Sequence, residues 1–304
     1  MANRTKKSVT NIVFSLFSNA IIFILNYVTR LIFVRFLDAS YLGINGLFTD
    51  VLSLLSLADL GMVSAMMYSL YKPLSDNDED KITQIINFFK KIYNIIAIVV
   101  AVVGIALIPF LKFIVNLENN LDSLYIYYLL FLFETVTSYL FVYRTTLLSA
   151  DQKNYIVVKW NIVIQIFKFV IRILVLVFFK DYVLYILCGV IVNFIGNLCQ
   201  NALVFKYYPY LKKPVSRIKN EDKREIYNNV KSTFIYKFCS VIQMNTTTIL
   251  VSMFVGTIVV GYYSNYMLMI NGVVSVLNTL FSSIKSSMGN YIAEGKHDLK
   301  KMFK

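Results

Sequence analysis

Lys168 and Arg172 stand four residues apart inside an apolar run, Val157–Phe179, that reads VVKWNIVIQIFKFVIRILVLVFF. Residues four apart share one face of a helix, and steps of three and four back along the run put Gln165 and Asn161 on that same face. About 20 apolar residues suffice to cross a bilayer, so the run predicts a spanning helix with a single polar stripe. A cation facing hydrocarbon is costly, and such residues turn toward a bundle interior or a water-filled cavity. The chemistry on offer is Coulombic: two fixed positive charges for an anion, with the planar Arg172 guanidinium able to donate a fork of hydrogen bonds to a phosphate. The competing reading is structural, with both cations paired to Glu134 or Asp59 at similar depth, since buried charges are usually partnered.

Other polar residues in apolar surroundings extend the pattern. Asn26 and Arg30 share a face of the first apolar segment, and Arg30 is a second candidate for lining a cavity. Lys237 has the type of a ligand but the position of a snorkelling residue near a helix end. Asp59, followed by Leu60 and Gly61, fits a counter-ion or local cap, with a coupling-ion site as the alternative. Glu134, nearer the middle of its segment, is the better carboxylate for coupling to an ion. Further stripes run through Asn193, Asn197, Gln200 and Asn201, and through Asn271, Ser275, Asn278 and Ser282. They fit either a hydrated lumen or hydrogen bonds between helices. No nucleophile–base pair, glycine-rich phosphate loop or metal-spaced cluster accompanies them, and the one histidine, His297, lies in a polar tail. The expectation is a protein that is not an enzyme and uses no cofactor or metal.

Positioning such residues takes a membrane bundle. The 304-residue chain is 58% hydrophobic and 15% charged, well below the quarter of charged residues usual in soluble domains. Eight spanning helices are expected, near 11–36, 43–71, 92–115, 121–148, 157–179, 182–205, 231–254 and 258–284. Pro109 predicts a kink, the acidic run Asp76–Asp80 a solvated loop, and Tyr125, Tyr127 and Tyr128 an aromatic belt. Cys188 and Cys199 would lie about 16 Å apart on one helix, out of disulfide reach.

Lysine and arginine sort by side. The N-terminus, the second, fourth and sixth connections and the tail carry nearly all of them, against Arg35, Lys112 and Lys180 opposite. That places the N-terminus in the cytoplasm and explains the net charge of +13 without nucleic acid. The charged stretch 207–230 is the natural linker between an N-lobe, 1–206, and a partial second lobe, 231–304. Offsetting the chain so that Phe36 falls on Phe254 also brings Gly43 onto Gly261. An even number of helices separates the two copies, so the repeat is parallel, about an axis along the membrane normal. A full repeat would give the second half as many helices as the first, and a chain truncated after two of them is expected.

The stretch TILVSMFVGTIVVGYYSNYMLMI from Thr248, followed by SSIKSSMGNYIAEGK, resembles bacterial polysaccharide repeat-unit flippases of the multidrug/oligosaccharidyl-lipid/polysaccharide exporter superfamily. So do FVRFLDASYLGINGLFTDVLSLLSLADLGMVSAMMYSLYKPLSD, TLLSADQKNY and YYPYL, so the resemblance runs along essentially the whole chain. It implies an all-α, MATE-like fold: a six-helix N-lobe and the first two helices of a second, around a central cavity. It implies transfer of an undecaprenyl-diphosphate-linked oligosaccharide across the cytoplasmic membrane for capsule, exopolysaccharide or O-antigen synthesis. Implied partners are that lipid-diphosphate-linked oligosaccharide, membrane lipids, H+ or Na+, and a polysaccharide polymerase with glycosyltransferases. Many relatives carry an acidic residue in helix seven where this chain reads NTTTILVS. A cation-coupled drug exporter of the same superfamily is the alternative, but it would favour carboxylates over this surplus of cations. A non-transporting fragment is the third reading.

Overall fold

The computed structural model describes residues 2–55, 61–115, 123–214, 218 and 220–293. Among them are ten α-helices: α1 (Ala2–Phe36), α2 (Ala39–Leu55), α3 (Met62–Asp76), α4 (Glu79–Ala106), α5 (Leu111–Ile114), α6 (Leu124–Ala150), α7 (Asn154–Phe178), α8 (Tyr182–Tyr207), α9 (Asn220–Phe254) and α10 (Thr257–Ala293). Leu16–Phe36 of α1 and the whole of α4, α6, α7 and α8 are long and apolar enough to cross a membrane. Helices overlap each of the eight expected spans, the second divided between α2 and α3 and the third between α4 and α5. The α9 helix begins inside the stretch expected as a linker. The chain is a polytopic, all-helical membrane protein.

Local signals explain where the helices stop. The acidic run is a helix junction instead of a loop. Asn77 ends α3 in the left-handed region at φ 54°, and the Asp78 side chain accepts from the Lys81 amide at 2.9 Å to cap α4. Glu79 and Asp80 then sit in the first turn, where the helix dipole favours negative charge. Pro109 breaks its helix where a kink was expected, because α4 ends at Ala106 and the proline sits in a short 3₁₀ turn, Ile108–Phe110.

The tyrosines expected as a belt are mostly core. Tyr127 and Tyr128 are buried, and the Tyr128 hydroxyl donates to the Gly104 carbonyl at 2.9 Å. Tyr127, Tyr41, Tyr182, Tyr185 and Phe33 form one aromatic cluster, with ring centroids 4.8 Å apart for Tyr127–Tyr182 and 5.1 Å for Phe33–Tyr185. Edge-to-face pairs of this kind contribute about 0.5–1.5 kcal/mol each beyond burial. The cluster joins α1, α2, α6 and α8.

Basic loops gather at one end of the bundle. There Tyr208, just beyond α8, donates to Asp151 Oδ2 at 2.7 Å, and Lys153 pairs with the same oxygen at 2.6 Å. Lys213 reaches Glu79 at 3.7 Å, so the chain after α8 is tied to both the α6–α7 turn and the start of α4. Toward the opposite end, α10 packs along α2, and α9 along α2 and α3. A side chain at Gly43 would collide with the Thr257 backbone, so glycine is required there, and one at Gly46 would displace the Ser264 hydroxyl. Ser252 of α9 donates to the Ile114 carbonyl at 2.7 Å in the same region.

Candidate functional site

The stripe on α7 faces α6 and α8. Lys168 Nζ lies 3.5 Å from Glu134 Oε1 of α6, and the Asn193 amide of α8 donates to that same oxygen. One carboxylate oxygen therefore holds two helices, with the Lys168 side chain 14% exposed and that of Glu134 27%. The Lys168–Glu134 pair is long for an ion pair. Glu134 is thus shared between α7 and α8, and Lys168 reaches it on a flexible stem.

Arg172, one turn along α7, has no such partner among the described residues. Its guanidinium lies over the Tyr185 ring, 4.5 Å from the centroid, and its buried Nε lacks a hydrogen-bond acceptor among the described residues. Gly189 makes room for it, since a side chain there would run into the guanidinium. A cation on an aromatic face retains most of its positive field, because the ring quadrupole offers only modest compensation. Half-buried Arg30 of α1 lies within electrostatic range of the Tyr185 and Tyr182 hydroxyls, and its Nε donates to Asn265 Oδ1 of α10 at 2.5 Å. Tyr185 thus stands between two arginines from different helices, and the buried Tyr182 hydroxyl has no partner among the described residues.

The remaining candidates scatter. Asn161 Oδ1 accepts from Gln200 Nε2 of α8 at 2.6 Å, and Gln165 is half-buried between Asn161 and Lys168 on the stripe. Asn26 is exposed, one turn from Arg30. Asp59 and the Lys237 side chain lie outside the described residues. Sequence reasoning missed Asn265, which lies off the stripe expected on its helix, and Tyr185, an aromatic residue with no periodic signal. It saw Asn193 in a stripe but not as the donor that fixes Glu134.

Two cavities lie toward the basic end. One of about 370 Å³ sits between α6 and α8, walled by Ser138, Thr145, Asn197 and Gln200 with Phe141 and Val142. The other, about 440 Å³, is a cleft of Tyr68, Tyr71, Lys72, Asp76 and Asp78 with Ile226 of α9. Among the described residues no three His, Cys, Asp or Glu side chains gather to hold a metal ion.

The arrangement can hold an anion against Arg172 and Arg30 and can release Lys168 from Glu134 toward the same anion. Comparison with known proteins gives two matches. The sequence model described as "Polysaccharide biosynthesis protein" matches residues 8–284. A solved structure described as the inward-facing conformation of a multidrug resistance MATE family transporter of the MOP superfamily superposes with a TM-score of 0.57 at 12% identity. It covers 90% of this chain, which spans 63% of the transporter's length, and at that identity the likeness shows a shared fold. None of the curated proteins matches the sequence.

Proposed function

Because the chain belongs to the polysaccharide biosynthesis protein family, we propose that it carries an anionic, lipid-diphosphate-linked oligosaccharide across the cytoplasmic membrane. The carrying observation is Arg172: a half-buried guanidinium on a membrane-spanning helix, seated on Tyr185 with its Nε buried, and with no carboxylate beside it among the described residues. An uncompensated cation in hydrocarbon is costly, and a diphosphate is the ligand class that relieves that cost with bidentate hydrogen bonds. Arg30 and Lys168 converge on the same region from α1 and α7. Lys168 is the adjustable charge, resting on Glu134 when the site is empty.

The N-terminus is cytoplasmic by the distribution of lysine and arginine. Residues 1–206 form one lobe and 231–304 the start of a second, which rock against each other to expose the site to either leaflet. Lipid tails stay in the bilayer. Asn26, Asn161 and Gln165 supply hydrogen bonds along the route. Glu134 exchanges H+ or Na+, and the polymerase and glycosyltransferases of the same synthesis are its neighbours in the membrane.

The test is transport of a lipid-diphosphate oligosaccharide by the protein as its cell makes it, with Lys168→Ala and Arg172→Ala combined. Losing the two contacts removes roughly 3 kcal/mol or more, so flipping falls at least about 100-fold. Wild-type rates in the double variant would refute the assignment. Efflux of a cationic dye by the same vesicles separates the drug-exporter alternative.

A further inference from the structure

A second half-buried arginine lies near the basic end of α6. Arg144 donates to the Asn201 side chain of α8 and meets the Tyr143 hydroxyl, both neutral groups. Its guanidinium lies over the Phe205 ring of α8, 4.5 Å from the centroid, and 5.1 Å from that of Tyr143. Lys212, in the 3₁₀ turn Pro209–Lys212 that follows α8, sits 5.6 Å from the same Phe205 ring. One ring thus gathers two cations from different elements. Neither has a carboxylate partner among the described residues, since Asp151 is engaged by Tyr208 and Lys153, and Glu79 by Lys213. The like charges repel, and an aromatic face compensates them only modestly. We propose that the outer seam between α6 and α8 binds an anionic phospholipid of the leaflet at the basic end. Its phosphate lies between Arg144 and Lys212, and an acyl chain runs up the seam.

Position selects a lipid as the occupant. The main partners of α8 are α6 and α7, whereas α9 and α10 pack on α1, α2 and α3, so the seam lies away from the second lobe. Above Arg144 the seam is apolar and open. Leu140, one turn along α6, is 38% exposed, and Ile195 and Leu198 of α8 are 53% and 43% exposed. Phe194 fills the space between the two helices, its ring 6.1 Å from Phe133 and 6.2 Å from Phe141. Methylenes suit that surface, and a hydrated cargo does not.

Charge selects the headgroup. Basic pockets between spanning helices at the cytoplasmic side take anionic lipid headgroups. Arg144 brings a planar fork of donors that phosphate oxygens accept from, and Lys212 a point charge on a flexible stem. Asn201 and the two rings hold Arg144 in place beforehand, which lowers the ordering cost of binding. A headgroup held there joins α6 to the turn after α8 and, through Lys213 and Glu79, to the start of α4. The site is separate from Arg172 and Arg30 and requires nothing of the transported cargo.

Quenching by brominated lipids reads the seam directly. Leu140→Trp places an indole beside the proposed acyl chain, and the single native tryptophan, Trp160, gives a background measured in the unsubstituted protein. The full chain is reconstituted in phosphatidylcholine with a small fraction of a lipid brominated on its acyl chains, either phosphatidylglycerol or phosphatidylcholine. Brominated phosphatidylglycerol should quench Leu140→Trp at least about threefold more than brominated phosphatidylcholine at the same fraction. Arg144→Gln combined with Lys212→Gln should abolish that excess, and Lys112→Gln on α5 should keep it. If Leu140→Trp does not fold, Leu198→Trp reads the same seam from α8. Equal quenching by the two lipids, or an excess that survives loss of both cations, would overturn the site. Quenching by neither would mean that a second copy of the chain or another protein covers the seam, and would overturn it too. A soluble prenyl diphosphate should bind the Arg144→Gln, Lys212→Gln protein as tightly as the wild type. Weaker binding would overturn the phospholipid assignment by placing the pair on the route of the cargo. Failure of the flipping assay leaves this site standing, and equal quenching leaves the cargo assignment standing.

Discussion

At the scale of single residues, the site depends on what a side chain is allowed to touch. Gly189 leaves room for Arg172 over Tyr185, and Gly189→Val should push the guanidinium off the ring. Overpacking of this kind costs about 1–3 kcal/mol, so the variant should melt at lower temperature in detergent and bind anionic lipid more weakly. Unchanged melting and binding would mean that the arginine has another seat. Outside the membrane, burial and then the hydrogen bond to Asp151 raise the Tyr208 hydroxyl above its ordinary range, and burial pushes Tyr210 up to about 12. A value raised in the folded state means that the contact stabilises fully below about pH 10 and is lost as pH climbs through the folded value. Thermal melts from pH 7 to 11 should therefore show an alkaline fall that Tyr208→Phe flattens, with a loss of about 1–2 kcal/mol at neutral pH. Much of this was legible beforehand, since the four-residue spacing placed Lys168 and Arg172 on one face. Spacing could not say that, among the described residues, Lys168 and not Arg172 would find a carboxylate, because Glu134 lies on another helix and its register against α7 is set by packing.

At the scale of elements, boundaries were harder to read than spans. Each apolar run became helix because hydrocarbon leaves the backbone no other way to satisfy its hydrogen bonds. The acidic run looked like solvent-exposed loop because its charges dominated. Its actual role is in the order of residues, with Asn77 turning left-handed and Asp78 capping α4. Tyr127 and Tyr128 had the composition of an interfacial belt, and only the partner across the interface, the Gly104 carbonyl, revealed them as core. The α2–α10 seam makes its own prediction. Gly43 and Gly46 let α10 approach α2 so closely that Gly46→Leu should pry the two apart, lowering stability by about 1–3 kcal/mol. Cross-linking of cysteines placed across the seam should fall in parallel, and unchanged cross-linking would show that the helices do not close there.

At the scale of the whole molecule, the account rests on charge that the fold leaves uncompensated. The chain carries a net +13, and most of that surplus lies on loops at one end. Arg30, Lys168 and Arg172 instead lie on the spanning helices α1 and α7, where among the described residues one carboxylate, Glu134, is paired with Lys168. Binding of a soluble short-chain prenyl diphosphate, measured beside the matching prenyl alcohol in wild type and in Arg172→Gln, tests this directly. The diphosphate should bind the wild type at least about 100-fold more tightly than the alcohol, and Arg172→Gln should erase roughly 10- to 100-fold of that preference. Equal affinity for the two lipids, or a preference untouched by the substitution, would contradict the claim that these buried cations serve an anionic cargo.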